Sequence, residues 1–346
     1  MSKLNIKNIR YFNNIHIVDN GKNIIKSYIG EDKYYKNKFY DEIVWMLKSQ
    51  HLIPNNIPKI HDFSLSYDNL WIKYEMIEYN TLHDLFIQGK KIEWNQVVEA
   101  YQKFINDCKK IKPKFFIKED WFNKAIDFYL DRTYDNLMRI KDKEKLKGFF
   151  EYNYVLINNK EYPSMKLILN LLKNKITKLR ENSLKESDIF YQLVNIDQER
   201  IFLAHLDLIF GNVFFDDKSK KIKVIDPRGS FADSKDYGDI YYDYAKIYQS
   251  IYGLYDFMVE DQFNIEKTEE NHFYLKINET KNLKLIREAF NKLLPKKEIN
   301  IIKLLESLQF FAMTPAHSDN INRQIVQLCT GIKHLYETLD VNVWEK

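Results

Sequence analysis

Three oxygen-bearing side chains lie close together between positions 205 and 226. Asp207 follows His205 by two positions, Asn212 follows Asp207 by five, and Asp226 ends a later apolar run. Carboxylate and amide oxygens suit Mg²⁺, which usually keeps substrate phosphates and water as its other ligands. In kinase-type phosphoryl transfer, one Asp accepts the proton of the attacking hydroxyl, while an Asn and a second Asp hold metal ions. The spacing therefore predicts Asp207 as the base and Asn212 and Asp226 as metal ligands, with His205 holding the loop.

The surrounding elements are able to bring these residues together. Short apolar runs precede His205, follow Asn212 and precede Asp226, and the polar stretch 216–221 between the last two runs is typical of a hairpin turn. Such a hairpin places the three oxygen ligands at one end of a small sheet. Taken singly, the residues have a simpler interpretation, with His205 and Asp207 as a loop pair and Asp226 as a carboxylate at a strand end. The joint pattern favours the catalytic interpretation.

Three segments between residues 201 and 255 carry a family resemblance. They are His205-x-Asp207-x-x-x-x-Asn212, Ile225-Asp226-Pro227-Arg228-Gly229 and Gly238-Asp239-x-x-Tyr242-Asp243-x-Ala245-Lys246. Together they resemble the aminoglycoside phosphotransferase and choline kinase superfamily, the small-molecule branch of the protein-kinase-like fold. The stretch from Ile225 to Phe231 is most similar to bacterial members associated with capsule and surface-polysaccharide synthesis.

The resemblance implies a fold and a function. The fold is α+β and two-lobed, with a small N-terminal β-sheet lobe over residues 1–79 and a larger, mostly helical C-terminal lobe over residues 80–346. The implied activity is a Mg²⁺-dependent kinase that transfers the γ-phosphoryl group of ATP to a hydroxyl of a sugar or amino alcohol, in capsule or surface-polysaccharide synthesis. The alternatives are an aminoglycoside-type phosphotransferase and a catalytically silent nucleotide-binding regulator of the same fold. The preference between ATP and GTP stays open.

The N-terminal lobe must supply a lysine for the nucleotide phosphates. Lys26 lies inside an apolar strand-like stretch that follows an Asn-Gly turn signal. We predict Lys26 as the phosphate ligand, with a solvent-facing strand lysine as the alternative. A helix predicted over 36–50 places Glu42 beside its apolar stripe. Glu42 is therefore the expected carboxylate partner of Lys26, with Asp41 and Glu31 as its competitors; the alternative is that Glu42 is a solvated helix glutamate.

The same lobe is expected to hold a five-stranded sheet and to end in a hinge. Strands are predicted on both sides of the Asn-Gly turn and at 9–12, 60–65 and 70–76. Thr81 is a predicted N-cap of the next helix. The hinge residues expected to bind the adenine through their backbone are Glu75, Met76 and Ile77.

Two departures from the protein-kinase pattern favour a small-molecule kinase. Protein kinases cover the nucleotide phosphates with a glycine-rich loop, but residues 9–20 contain no glycine. If this segment contacts phosphate, Asn13 and Asn14 would have to form the tight turn. In addition, Ile209 lies two residues after Asp207, at the position where protein serine/threonine kinases carry a lysine.

Two charged residues in the second half of the motif have alternative roles. Arg228 either neutralises the transferring phosphoryl group or binds an acidic acceptor, or else it forms a salt bridge with Asp233 or Asp236. Asp243 lies near the first turn of a helix predicted over 239–253. The resemblance implies that Asp243 accepts hydrogen bonds from the catalytic-loop backbone, and the alternative is an interaction with the helix dipole.

Most of the remaining chain has helical periodicity. Amphipathic helices are predicted at 94–111, 122–140, 165–179 and over most of 281–339. The segment 141–164 has no clear pattern, and its aromatic residues serve either as core or as a ligand stack. The polar loop 313–323 either closes the acceptor side through His317, Asp319 and Arg323, or it only breaks the helix, with Asp319 as the next cap.

Composition limits the class of protein. A chain of 346 residues exceeds the usual single core, which fits two lobes. The net charge of +4 is spread along the chain and does not indicate nucleic-acid binding. With two cysteines, neither a disulfide framework nor a cysteine zinc site is indicated. The first residues lack a signal-peptide core, and no apolar run approaches the roughly 18 residues of a membrane helix. A cytoplasmic protein with no membrane insertion and a small-molecule hydroxyl acceptor is expected.

Overall fold

The N-terminal part of the protein is an antiparallel sheet packed against one long helix. The computed structural model describes residues 13–339 and 343–344. The sheet has the spatial order β1-β2-β4-β3, and α1 follows β2 along the chain. These elements are β1 (Asn13–Val18), β2 (Asn23–Tyr28), α1 (Lys33–Leu52), β3 (Ile60–Ser66) and β4 (Asn69–Glu75).

Helix α1 begins three residues earlier than the pattern predicts. The Asp32 carboxylate accepts a hydrogen bond of 2.7 Å from the Tyr34 amide and caps the helix. The predicted stripe is buried at Phe39, Ile43 and Met46. The sheet and α1 therefore share one apolar interface.

The start of the sheet differs from the prediction at Asn13 and Asn14. The predicted strand at 9–12 lies outside the described residues. Asn13 and Asn14 belong to β1, where they pair with Tyr28 and Ser27, so the prediction that they form a tight turn is wrong. The reason is that the ladder with β2 already holds both residues in extended backbone.

The larger C-terminal part is mostly helical, as predicted. The predicted boundary at residues 79 and 80 falls between β4 and α2, and the Thr81 hydroxyl caps α2 by accepting the Asp84 amide at 3.0 Å. The helices are α2 (Leu82–Ile87), α3 (Trp94–Lys109), α4 (Lys118–Ala125), α5 (Arg132–Met138), α6 (Lys147–Phe150), α7 (Met165–Arg180), α8 (Ile189–Val194), α9 (Ile240–Ile251), α10 (Tyr255–Val259), α11 (Leu283–Phe290), α12 (Ile299–Met313) and α13 (Ile321–Thr338). The strands are β5 (Tyr154–Ile157), β6 (Lys160–Pro163), β7 (Ile201–Leu203), β8 (Val213–Asp216), β9 (Lys221–Val224), β10 (Ser230–Phe231), β11 (Ser234–Lys235), β12 (Tyr237–Asp239), β13 (Phe263–Glu269) and β14 (His272–Ile277).

Helix α12 lies at the centre of this part. It packs against α5, α9 and α13. Its apolar side chains Leu304, Leu308 and Phe311 are fully or almost fully buried. Burial on all sides explains why this helix is apolar around most of its circumference.

The predicted helix over 122–140 is interrupted by a wider turn. Helix α4 continues into a π-helical segment, Ile126–Asp131, and then into α5. The π segment buries Phe128 and Tyr129. Such widened turns are frequent at functional sites.

The segment 141–164, which the sequence pattern does not place, contributes to a second sheet. Its strands β5 and β6 join β14 and β13 in the order β13-β14-β5-β6, with β5 parallel to β14. Phe149 stacks on Phe273 with ring centres 4.4 Å apart, so it is a core residue and not a ligand stack.

The loop at 313–323 is tied to the region around α10. His317 lies 3.2 Å from the Tyr255 hydroxyl, and Arg323 pairs with Asp261 at 2.7 Å. The Asn320 side chain, and not Asp319, accepts the amides that cap α13. Across the described residues, no helix is both long and apolar enough to span a membrane.

Candidate active site

The loop after β7 carries His205 and Asp207 and is fixed by a carboxylate from α9. Asp243 accepts hydrogen bonds from the His205 amide at 3.1 Å and from the Leu206 amide at 2.6 Å. Leu206 has a φ of 61°, a backbone conformation that L-residues rarely adopt. The buried Asp243 therefore satisfies two amides that a strained loop would otherwise leave without partners.

His205 is a neutral anchor of this loop. Its Nε2 donates to the Ile225 carbonyl at 3.0 Å, and its Nδ1 accepts from the Asp207 amide at 3.3 Å. A carbonyl only accepts and an amide only donates, so the tautomer carries its proton on Nε2. Burial lowers the pKa of His205 to about 4. The ring also lies edge-on to Trp45 of α1, with centres 5.5 Å apart.

The predicted hairpin brings Asn212 and Asp226 to the Asp207 loop. Strands β8 and β9 pair from Val213 opposite Val224, and the Ile225 amide donates to the Asn212 carbonyl at 3.0 Å. The Asn212 side-chain nitrogen donates to the Asp207 carbonyl at 2.9 Å. This bond directs the Asn212 side chain across the loop.

Lys26 of β2 joins both parts of the molecule. Its ammonium lies 2.6 Å from Glu42 of α1 and 2.9 Å from Asp226, which is 200 positions away in the sequence. Of the competitors for Lys26, Asp41 instead pairs with Lys235 at 2.6 Å, and Glu31 is exposed. The predicted solvent-facing alternative is wrong, because Lys26 is 2% exposed.

The electrostatics of this triad favour a charged lysine. Burial acts to lower the pKa of Lys26, but Asp226 and Glu42 outweigh burial and raise it. The Asp226 side chain keeps 39% of its surface exposed, whereas that of Lys26 keeps 3%. The second carboxylate oxygen of Asp226 is thus able to reach a ligand in the cleft.

The turn after Asp226 lies against α1. Asp226 has a φ of 58° and Gly229 a φ of 77°. A side chain at Gly229 would overlap the backbone carbonyl of Asp41. The Arg228 amide donates to the His205 carbonyl at 2.9 Å and ties this turn to the loop that carries Asp207.

Lys246 is a site residue that the sequence pattern assigns no role. Its ammonium lies 3.2 Å from the Asp207 carboxylate and is buried on α9. The available signal was helical spacing, since Lys246 follows Asp243 by three positions and shares its face. Both therefore point to the loop that carries Asp207.

The structure rejects the salt-bridge alternative for Arg228. Asp236 pairs with Lys48 at 2.8 Å, and Asp233 pairs with Lys124 at 3.3 Å. Arg228 donates to the Tyr34 hydroxyl at 3.2 Å, and its guanidinium carbon lies 4.8 Å from the centre of the Phe128 ring. The contact with Tyr34, like that with Phe128, had no signal in the sequence.

The hinge offers fewer backbone donors than the sequence suggests. The Glu75 amide donates to the Lys59 carbonyl at 2.9 Å, and the Met76 amide donates to the Lys22 carbonyl at 2.8 Å. The Glu75 side chain pairs with Lys223 of β9. Among the three predicted hinge residues, Ile77 has the backbone amide that is not used in these bonds.

The side-chain oxygens of Asn212 and Asp226 suit a hard cation whose other ligands are phosphate and water oxygens. Asn212 has one amide oxygen and Asp226 one carboxylate, and the pairing of Val213 with Val224 brings the two residues to the same end of the hairpin. Between residues 13 and 339, no group of three or more His, Cys, Asp and Glu side chains forms a metal site by itself. Two oxygen ligands fit Mg²⁺ when phosphates and water complete its coordination.

Two solved structures share this architecture with TM-scores of 0.50. Aminoglycoside phosphotransferase APH(2'')-Ib in its ADP-bound form is 12% identical, and the match covers 93% of this chain and 94% of that one. The GDP complex of a mutant aminoglycoside 2'-phosphotransferase-IIIa is 11% identical, and the match covers 95% and 88% of the two chains. The chain has the fold of the aminoglycoside phosphotransferases.

The likeness confirms the predicted two-lobed, protein-kinase-like fold along almost the whole chain. No protein family model and no curated protein sequence matches the chain. At 11 to 12% identity, the comparison establishes the architecture and leaves the chemistry to the site residues.

Proposed function

We propose that this protein transfers the γ-phosphoryl group of ATP, bound with Mg²⁺, to a hydroxyl of a small metabolite, either a sugar or an amino alcohol. The observation that carries the proposal is the buried ammonium of Lys26 between Glu42 and Asp226. Burial, opposed by Lys26, raises the pKa of Glu42 to about 7, so near neutral pH the triad carries part of a negative charge beyond the charge of the Lys26 ammonium. The Asp226 carboxylate is partly exposed, and there a nucleotide-bound cation would compensate that charge.

The nucleotide side of the proposed site is assembled from both parts of the molecule. Lys26 would bind phosphate oxygens, and the Ile77 backbone would bind the adenine. Asn212 and Asp226 would hold Mg²⁺, whose charge neutralises the β- and γ-phosphate oxygens when it is bound. The two similar structures support a nucleotide in this cleft, because one contains ADP and the other GDP.

The proposed reaction places Asp207 as the base. The acceptor hydroxyl oxygen forms a bond to the γ-phosphorus while the bond from that phosphorus to the bridging oxygen breaks, and ADP leaves. The hydroxyl proton passes to the Asp207 carboxylate and then to water. Lys246, and the hydrogen bond that the Asn212 side chain donates to the Asp207 carbonyl, hold Asp207 in position. The surface-polysaccharide context is part of the proposal and rests on the stretch from Ile225 to Phe231.

The test measures phosphoryl transfer from Mg-ATP to a panel of sugars, amino alcohols and aminoglycosides. We expect Asp207→Asn to reduce transfer by on the order of 10²- to 10⁴-fold, because the acceptor loses its base. The affinity for Mg-ATP, measured by calorimetry, should change by less than about twofold, because Asp207 is placed on the acceptor side.

Two outcomes would contradict this assignment. Near-normal transfer by Asp207→Asn would show that another group takes the proton. Binding of Mg-ATP without transfer to any acceptor and without release of ADP would favour the silent regulator.

A further inference from the structure

Three cationic side chains surround Phe128 and Tyr242 beside the proposed base. The guanidinium carbons of Arg132 and Arg228 lie 4.0 and 4.8 Å from the centre of the Phe128 ring. The Lys246 ammonium lies 5.9 Å from the centre of the Tyr242 ring. We refer to Arg132, Arg228 and Lys246 as the basic cluster.

The two arginines of the basic cluster lack carboxylate partners. Arg132 donates to the Tyr242 hydroxyl, and Arg228 donates to the Tyr34 hydroxyl, each at 3.2 Å. Within residues 13–339, no ion pair joins either guanidinium to a carboxylate, and the Nε of each is buried without a hydrogen-bond partner. Unsatisfied donors on charged groups are costly in a half-buried site, so their retention points to a ligand.

The neighbouring phenols report a positive local potential. The Arg228 guanidinium lowers the pKa of Tyr34 to about 7. Burial acts to raise this pKa, and Arg132 acts to lower it further. Burial acts to raise the pKa of Tyr242, but Arg132, Lys246 and Arg228 outweigh burial and lower it. Positive charge therefore acts on two separate phenols, each of which accepts a hydrogen bond from one arginine of the basic cluster.

The basic cluster adjoins Asp207 and is carried mostly by the helical part. Lys246 contacts Asp207 directly, and Arg132 is carried by α5 of the helical part, at the end of the widened π turn. The nucleotide ligands Lys26 and Asp226 form a separate group held by β2 and the turn after β9. Arg132 is therefore assigned to the acceptor, and displacement of phosphate by AMP-PNP tests whether its anion site differs from the γ-phosphate position.

We propose that the basic cluster is a subsite for an anionic group on the acceptor, a phosphate or a carboxylate. The acceptor is then a hydroxyl compound such as a sugar phosphate or a sugar acid. The planar fork of a guanidinium matches the oxygens of both groups. Cationic amino alcohols and aminoglycosides would be repelled there. This inference rests on the proposed function, because it concerns the second substrate of the same site.

The first experiment is calorimetric titration of inorganic phosphate into the full chain saturated with Mg-AMP-PNP. The filled nucleotide site separates binding at the basic cluster from binding at the γ-phosphate position. We expect Arg132→Gln to weaken phosphate binding about tenfold or more, without changing the affinity for AMP-PNP. Arg132→Lys, which keeps the charge and loses the fork, should retain part of the affinity.

The matched control is Arg139→Gln. Arg139 is exposed and follows directly after α5, so its replacement makes the same change in net charge outside the cluster. Phosphate affinity should stay within about twofold of the wild type. The melting temperature of each variant with Mg-AMP-PNP checks that the variant is folded.

A second measurement compares glycerol with glycerol 3-phosphate and glycerate as acceptors. The wild type should prefer the two anions, and Arg132→Gln should lose that preference in kcat/KM while the KM for ATP is unchanged. Equal phosphate affinity in wild type and Arg132→Gln, or displacement of phosphate by AMP-PNP, would overturn the subsite and leave the kinase proposal intact. Phosphate binding that depends on Arg132 in a chain that does not bind AMP-PNP would refute the kinase proposal and retain the anion site.

Discussion

At the scale of single residues, the proposed site is controlled by a few buried polar side chains whose pKa values are shifted by burial and by their neighbours. Lys26 is held charged by two carboxylates, and Asp243 satisfies two loop amides. His205 is neutral because burial lowers its pKa to about 4 and both ring nitrogens are hydrogen-bonded. These contacts fit the role predicted for His205 from the sequence, which is to hold the loop that carries Asp207.

A pH profile tests the role of His205. Because the pKa of His205 is about 4, its titration should produce no inflection in kcat between pH 5.5 and 7.5. We expect His205→Gln to lower kcat about 10- to 100-fold through displacement of Asp207, with a profile of unchanged shape. A wild-type inflection near pH 6.5 that disappears in His205→Gln would assign a proton-transfer role to His205.

At the scale of elements, the turn that carries Asp226 depends on close contact with α1. Gly229 has a φ of 77°, and its α-carbon lies where no side chain fits beside the Asp41 carbonyl. The same helix supplies Glu42 to Lys26 and Trp45 to His205. A shift of this turn away from α1 would therefore disturb the lysine triad and the loop that carries Asp207 together.

Gly229→Ala should be clearly destabilising. Backbone strain costs about 1–3 kcal/mol, and the overlap with α1 adds to it. Gly21→Ala is the matched control, because Gly21 has a φ of 88° but nothing lies within 4 Å of the added methyl group. Denaturant unfolding should show a larger loss of stability for Gly229→Ala. Equal losses for the two variants would mean that the contact with α1 contributes nothing.

At the scale of the whole molecule, a few charged contacts join segments that are far apart in the sequence. Lys26 joins β2 to Asp226, and Glu75 of β4 pairs with Lys223 of β9. Within the helical part, His83 of α2 lies 2.8 Å from Asp256 of α10 and 3.3 Å from Glu260. Burial acts to lower the pKa of His83, but Asp256 and Glu260 outweigh burial and raise it to about 9.

The pH dependence of stability tests this contact. Because the folded-state pKa of about 9 exceeds the unfolded value near 6.5, His83 stabilises the protein fully below pH 6.5. That contribution, up to about 3 kcal/mol, should be lost as the pH rises through 9. His83→Gln should remove this slope from the free energy of unfolding measured between pH 6.5 and 9.5. A variant with the wild-type slope would show that other groups cause it.

The sequence determined the features that depend on local spacing. The hairpin around 216–221, the helix that carries Glu42 and the Thr81 cap follow from periodicity and turn chemistry. Asp207, Asn212 and Asp226 were recognisable because their spacing reflects one local hairpin. The fold followed from the same segment, through its resemblance to a known superfamily.

Only the tertiary structure decided the contacts between distant segments. The pairing of β5 with β14 could not be predicted, because it joins residues more than a hundred positions apart and leaves no periodic pattern. The basic cluster is of the same kind, because Arg132, Arg228 and Lys246 come from α5, the turn after β9, and α9. The sequence singled out Arg228 alone of the three as a possible ligand of an acidic acceptor. Only the packing shows that three positive charges lie around Phe128 and Tyr242.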